Sequence, residues 1–326
     1  MTTSAVPPDV LATVVELACR APSLHNSQPW QLSAHDGELR LFLASHQAPH
    51  ATDPSGRELI LSCGALLDHL RVAAAAAGWQ TGVDRFPNPN DLDHLATIRF
   101  HPSQMVTEAE RARAEAILAR RSDRLPFAKP AGWTHIEPLL RDAVDPEKAT
   151  LYVLPDSARA QLAEASRLTE TVRRYDTSYQ AELHWWTAPY DDDEGVPYTA
   201  LPSTTEPDRV DIDRVFPIGT QEGQRPAVTS DHAVVAVLSA DGDDRRDAFG
   251  CGEALSAVLL EATMAGLATC PLSHITEVTA SRDIIRGLTG GTNDPQILVR
   301  IGVVPASADQ LSTTPRRPLA EVLTIS

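Results

Sequence analysis

The stretch Arg20-Ala21-Pro22-Ser23-Leu24-His25-Asn26-Ser27-Gln28-Pro29-Trp30 joins a helical pattern to a strand-like one, so the backbone must bend within it. Pro22 and Pro29 fix φ and withhold an amide at either end, while Ser23, His25, Asn26 and Gln28 offer short polar side chains. Two readings stay open at this point: a loop that reaches a polar heterocycle, or a helix stop with an Asx turn.

Working outward, residues 8–20 carry Val10, Leu11, Val14, Val15, Leu17 and Ala18 at helical spacing behind Pro8, which suits a first helical position. The pattern predicts a strand over 38–44, a helix over 56–77 and a strand over 96–100. It then predicts a helix over 107–121 with Thr107 as its cap. Further strands are expected at 232–239 and 296–304, the second being the best β run in the chain.

The second half repeats part of this order. Cys251-Gly252 and Gly266 stand 188 residues after Cys63-Gly64 and Gly78, with Leu67, Leu70, Ala74 and Ala77 matched by Leu255, Val258, Ala262 and Ala265. A domain-sized period of this kind is read as a diverged duplication, with chance likeness of two Ala/Leu helices as the alternative. Between the halves, His184 to Arg225 holds Trp185, Trp186, Tyr190, Tyr198, Phe216 and the acidic run Asp191 to Glu194, with many prolines and no sustained period. Such a segment reads as a lid or binding loop, or else as a disordered insertion.

Composition narrows the class. A formal net charge of −16 argues against nucleic acid and anionic membrane as partners. The N-terminus MTTSAVPPDV lacks a signal-peptide pattern, and no run approaches about 18 apolar residues, so a cytoplasmic protein is expected. Cys19, Cys63, Cys251 and Cys270 form no CxxC pair and read as buried thiols in a reducing compartment. The histidines show no HExxH or Cys/His knuckle, so no metal is expected.

Three further segments carry chemistry. Arg120-Arg121-Ser122-Asp123-Arg124-Leu125-Pro126-Phe127 suits a phosphate through bidentate guanidinium bonds, or is a solvated helix C-terminus. Thr314-Pro315-Arg316-Arg317-Pro318-Leu319 supplies a second basic pair, or is a soluble tail. Gly266-Leu267-Ala268-Thr269-Cys270-Pro271-Leu272 leaves a helix through glycine and can present backbone amides to a planar ring.

Together the APSxHNSQPW loop, the RRSxRxPF segment, the GLxTxPL exit, the PQxLxRIG strand and the TPRRPL tail resemble the nitroreductase superfamily of flavin proteins. More narrowly, the chain resembles its Acg-type actinobacterial members, which fuse two repeats and carry an aromatic linker. The resemblance implies an α+β fold in which two fused repeats, 1–105 and 106–326, form an intramolecular pseudo-dimer of mainly antiparallel sheets flanked by helices. It implies one FMN site between them. Arg120, Ser122 and Arg124 would hold the phosphate, ribityl and pyrimidine end, with Arg316 or Arg317 helping at the phosphate. Pro22, Ser23, His25, Asn26 and Gln28 would reach the flavin from the other repeat, and Pro271 and Leu272 would lie against the ring. The second repeat lacks a PSxxNxQPW loop and carries HWWTAPYDDDEG where it should stand, so 184–225 is read as a lid insertion with Trp185, Trp186 and Tyr198.

The expected activity is hydride transfer from NAD(P)H through FMN to a nitro or quinone-like small aromatic acceptor. The cofactor carries that chemistry, and no catalytic residue is assigned. A closed lid favours a second reading, binding and sequestration of FMN with little turnover. A flavin-free scaffold is a third. Fusion internalises the usual dimer interface, which suits a monomer and allows a homodimer.

Overall fold

The computed structural model describes residues 6–44, 49–187, 194–197, 200–202, 209–216, 225, 227–305 and 313–325. The chain opens with helix α1 (Pro8–Ala18), whose Leu11, Val14, Val15 and Ala18 face the core as the periodicity requires. A hairpin follows, β1 (Trp30–His35) and β2 (Glu38–Leu43), turning on Asp36 and Gly37, both at positive φ. Asp-Gly is the pair a two-residue hairpin turn selects. The sequence reading has a strand-like pattern after the loop but bounds a strand only at 38–44, because Gln31, Ser33 and His35 make β1 polar at alternate positions.

Helix α2 (Arg57–Ala76) is almost wholly buried, and β3 (Trp79–Arg85) and β4 (His94–Pro102) follow it. Next come α3 (Glu108–Ala119), α4 (Trp133–Asp142), β5 (Thr150–Leu154), α5 (Arg159–Arg173) and α6 (Thr177–Trp186). Thr107 caps α3 through a reciprocal box: its Oγ1 accepts from Glu110 N at 3.2 Å while Glu110 Oε2 accepts from Thr107 N at 2.7 Å. The chain continues through β6 (Val234–Ala240), α7 (Arg245–Met264), β7 (Ala268–Leu272), α8 (His274–Glu277), α9 (Thr279–Leu288) and β8 (Asp294–Gly302). It closes with α10 (Leu319–Val322) and β9 (Leu323–Ile325).

These strands make two sheets, ordered β3-β4-β2-β1-β9 and β5-β6-β8-β7, antiparallel throughout except where β9 runs parallel to β1 with Leu323 opposite Leu32. The fold is therefore α+β, with mainly antiparallel sheets and flanking helices, as expected. The last strand of the chain is built into the first sheet, which carries the TPRRPL tail back across the loop at 22–30. One described helix, α2, is long and apolar enough to cross a membrane by length and composition, and 83% of its apolar window is buried inside the protein.

Helices α2 and α7 cross at the two Cys-Gly pairs, and the contact is reciprocal. A Cβ on Gly64 would stand 2.0 Å from the Phe249 carbonyl oxygen, and one on Gly252 would stand 2.0 Å from the Leu61 carbonyl oxygen. Phe249 lies 188 residues after Leu61, as Gly252 does after Gly64, so each helix gives the other the same pair of contacts. The contact between α2 and α7 is thus self-complementary. One turn on, Ser256 Oγ donates to Asp68 Oδ2 at 2.6 Å and lies 2.8 Å from His69 Nδ1, tying the crossing with buried polar bonds.

The aromatic segment differs from its sequence reading. Trp185 and Trp186 are the last residues of α6, a helix capped by Asp176, whose Oδ1 accepts from Tyr179 N at 3.0 Å. Its buried stripe is Tyr179, Leu183 and Trp186, which begins before His184, so a reading that starts at the tryptophans cuts the period in half. The two rings part company: Trp186 is 4% exposed and Trp185 is 59% exposed. Tyr198, Tyr190 and Asp191 to Asp193 lie outside the described residues.

Candidate cofactor site

Loop 22–30 is conformationally unusual. A single tight turn spans Leu24–Asn26, and His25, Asn26 and Gln28 take φ of 50°, 58° and 48°. Non-glycine side chains in the left-handed region cost energy and persist where surroundings over-determine them. Here Ser23 Oγ accepts from Gln28 N at 3.1 Å, and Ser62 Oγ on α2 accepts from Leu24 N at 3.1 Å. Asn26 Nδ2 donates to the Pro315 carbonyl at 3.2 Å, and Gln28 Oε1 accepts from Arg317 N at 3.0 Å. Asn26 and Gln28 therefore hold the C-terminal tail, while Pro22, Ser23 and His25 face a cavity.

That cavity encloses about 720 Å³ of empty space, including its solvent-open part. Pro22, Ser23 and His25 line it together with Ser122, Arg124, Pro271 and Leu272, so three segments far apart in sequence meet. Helix α2 contributes Glu58, Leu61 and Ser62, and α7 contributes Leu255. The RRSDRLPF segment is pinned from below: Arg300, fully buried in β8, donates to the Leu125 carbonyl at 3.1 Å and pairs with Asp231 at 2.8 Å. Asp231 in turn accepts from Phe127 N at 2.8 Å. An arginine in the best β run thus positions the loop that carries Ser122 and Arg124.

The sequence reading placed Phe216 in the 184–225 lid or binding segment but did not single out Asp213 or Arg214. Asp213, Arg214 and Phe216 line the cavity, as does His274 at the start of α8. Arg214 pairs with Glu277 and donates to Tyr179 Oη at 2.5 Å and Ser273 Oγ at 3.1 Å. The Arg124 guanidinium lies 5.1 Å from the Phe216 ring centroid. Burial holds the His25 and His274 imidazoles well below their ordinary range, with Arg214 adding repulsion in both cases. Three polar atoms on lining residues are buried without a partner: His25 Nε2, His274 Nδ1 and Glu58 Oε2.

Behind Ser122, the guanidiniums of Arg120 and Arg316 meet at the Arg20 carbonyl, and neither is among the residues that line the cavity. Arg316 Nε donates to the Cys19 carbonyl at 2.7 Å and Nη2 to the Arg20 carbonyl at 3.0 Å, at the C-terminus of α1. Arg120, at the C-terminus of α3, reaches the Arg20 carbonyl and Ser122 Oγ, each at 3.4 Å. Burial, then the neighbouring guanidiniums, push the Arg120 pKa down to about 10; burial, then Arg120 and Arg20, push Arg316 down to about 9. Among the described residues no carboxylate lies within 4.0 Å of Arg20, Arg120, Arg121, Arg124 or Arg316. Arg317 differs, pairing with Glu194 at 3.2 Å and Glu321 at 3.6 Å.

Helix α6 is fastened to the backbone at Ala51 and Thr52. Glu182 accepts from the amides of Ala51 and Thr52, both at 2.8 Å, and Arg173 donates to their carbonyls at 3.3 Å. The Trp186 ring stacks toward His25 at a centroid distance of 6.5 Å.

No protein-family model matches the chain. It is 52% identical over 314 residues to a Mycobacterium tuberculosis protein named "Putative NAD(P)H nitroreductase acg", covering 96% of this chain and 95% of the relative. The chain belongs to this family, the Acg-type nitroreductases. A second M. tuberculosis relative, named as uncharacterised, is 51% identical across 97% of this chain and 93% of its own length. A third M. tuberculosis relative, named "Putative NAD(P)H nitroreductase Rv3131", is 37% identical across 97% of this chain and 91% of its own length. Among solved structures, the chain is similar to the FMN-dependent nitroreductase NfnB of Mycobacterium smegmatis in complex with NADPH, at 17% identity and a TM-score of 0.43. That likeness covers 67% of this chain and 100% of the other. A Bacteroides fragilis nitroreductase with bound FMN shows 15% identity and a TM-score of 0.36, over 63% and 94%.

Proposed function

We propose that this Acg-type chain binds FMN in the cavity between two fused repeats, 1–105 and 106–326, and carries hydride from NAD(P)H to a nitro or quinone-like acceptor. The observation that carries this reading is the gathering of Arg20, Arg120, Arg121 and Arg316 without a carboxylate among the described residues, in a chain of net charge −16. Acidic partners are plentiful, so such a cluster fits an anion supplied from outside, as a phosphate ester would be. The other end of the ligand fits as well: three unpartnered polar atoms and the apolar Leu255, Pro271 and Leu272 suit a flat, polar-edged ring.

In this reading Arg120 and Arg316 hold the phosphate, Ser122 the ribityl chain and Arg124 the pyrimidine edge. Asn26, Gln28 and Arg317 act at one remove by clamping loop to tail. FMN, when bound, supplies hydride acceptance and electron delivery; the chain's residues bind and orient it and keep water from its inner face. The 188-residue offset and the reciprocal α2–α7 contact support the fused-repeat reading, and buried unpaired thiols at all four cysteines suit a cytoplasmic setting.

The test is a purified protein that shows flavin absorbance at one FMN per chain and bleaches on anaerobic mixing with NADPH. A colourless protein that takes up no added FMN overturns the reading. The docking of α6 through Glu182 favours a second reading, sequestration of FMN behind a fixed lid, in which dithionite bleaches the flavin and NADPH does not. Removing that clasp should separate the two. Glu182→Ala is expected to raise the rate of NADPH bleaching by about tenfold if opening limits access, a shift of roughly 1.4 kcal/mol in the opening equilibrium. An unchanged rate removes α6 from gating.

A further inference from the structure

Glu58 is the lining residue whose chemistry the cofactor site leaves unexplained, and a role for it rests on that cavity holding FMN. It sits in the first turn of α2, 4% exposed, with Oε2 buried and unpartnered. Among the described residues its Oε1 meets only Arg57 Nη2, at 3.3 Å. Arg57 makes shorter bonds elsewhere, to the Gln296 carbonyl at 2.7 Å, Gln296 Oε1 at 3.0 Å and Thr276 Oγ1 at 2.9 Å. Asp53 is spent as a helix cap, its Oδ2 accepting from the amides of Glu58 at 2.8 Å and Leu59 at 3.0 Å. Glu277 from α8 is the partner of Arg214, with Arg173 of α5 at 3.8 Å.

Desolvation then favours the protonated acid. Arg214 and Arg173 attend Glu277, and Arg57 makes its shorter bonds to Gln296 and Thr276, so an ionised Glu58 would rest on one 3.3 Å contact with its Oε2 buried and unpartnered. Burial, with Glu277 next to it, pushes Glu58 up to about 8. The other titratable groups facing the cavity are differently placed. His25 and His274 are held neutral, Asp213 reaches only about 6, and Arg124 and Arg214 are cations. Tyr179, behind Arg214, is pushed to about 12. Glu58 is thus the carboxyl group lining the cavity that combines a raised pKa with a buried, unpartnered oxygen.

We propose that Glu58 is the general acid of this cavity, giving its proton to the oxygen of a quinone-like acceptor as that acceptor takes up hydride. The acceptor gains two electrons and one hydrogen from the reduced cofactor, which is thereby oxidised. A new O–H bond forms on the acceptor as the Glu58 O–H bond breaks, and the Glu58 carboxylate then recovers a proton from solvent. The loss of this acid costs about tenfold or more in rate, the lower range for positioned proton transfer.

The holoprotein, reduced by dithionite so that nicotinamide access plays no part, is mixed with a water-soluble benzoquinone. In the wild type the single-turnover rate falls as Glu58 ionises in the reduced protein, at a pH above about 8 because the negative reduced flavin holds the proton more tightly. In Glu58→Gln it is at least about tenfold slower at pH 7 and flat with pH. The midpoint potential of bound FMN between pH 6 and 10 gives a readout independent of turnover: the wild type acquires a steeper pH slope above about 8, and Glu58→Gln does not. Glu58→Asp, which keeps an acid one methylene further back, restores the break in slope and so separates proton storage from packing. A wild-type potential without that break, or a Glu58→Gln protein that matches the wild type in rate, overturns the assignment. A wild type without bound FMN overturns the cofactor reading itself.

Discussion

Gly252→Ala is expected to destabilise the protein by about 3 kcal/mol or more, among the largest losses any single methyl group could cause here. The added Cβ would stand 2.0 Å from the Leu61 carbonyl oxygen and 3.0 Å from Gly64 Cα, both backbone, so no side chain can rotate away. The two helices must separate by about an ångström to restore ordinary contact. Against this, alanine gains only about 1 kcal/mol of helix propensity over glycine. Gly64→Ala meets the Phe249 carbonyl at the same 2.0 Å and should cost a similar amount. The pair should be strongly non-additive, because the first methyl already parts the crossing that the second would occupy. Chemical denaturation of the two single variants and the double variant checks this; additive losses would mean the two clashes are independent. The cavity should register the separation too, since Glu58, Leu61 and Ser62 line it from α2 and Leu255 from α7.

The offset of 188 residues was legible because both glycines answer to one steric demand, and a repeated Cys-Gly marks it twice. Pattern also revealed α1, α2, α3 and the long β8, where periodicity and caps agree. It missed what only tertiary neighbours create. Trp185 and Trp186 are identical in sequence terms, yet helical rotation buries one and exposes the other. Arg214 drew no assignment from the sequence, because its partners Tyr179 on α6 and Ser273 and Glu277 at the two ends of α8 are distant in the chain. Arg20 stood inside the quoted loop with no assigned task until the ends of α1 and α3 met. Within the candidate site, seven residues named from the sequence line one cavity: Pro22, Ser23, His25, Ser122, Arg124, Pro271 and Leu272. Asn26 and Gln28 turn instead to the tail, a choice made by the Pro315 carbonyl and Arg317 amide that β9 brings alongside.

Arg120→Gln is expected to move stability and ligand binding in opposite directions. In the protein without ligand, Arg120 is 6% exposed, has its Nε unpartnered, and makes two bonds at 3.4 Å, the weak limit of hydrogen bonding. Its neighbours Arg20 and Arg121 repel it. Removing a desolvated, uncompensated charge should therefore stabilise the ligand-free fold, by about 1 to 2 kcal/mol. For FMN the same change removes a charge-assisted fork on a phosphate, worth roughly 3 kcal/mol, so affinity should fall by about a hundredfold. Thermal melting of the ligand-free protein and fluorescence titration with FMN measure the two effects separately. Inorganic phosphate supplies a control that needs no flavin: it should raise the melting temperature of the wild type through linkage and do so much less in Arg120→Gln. A variant that loses stability and keeps its FMN affinity would make the cluster a structural feature of α1 and α3. A gain in stability paired with a loss of both phosphate and FMN binding would show that the fold carries these guanidiniums, at a cost, for an anion it does not itself provide.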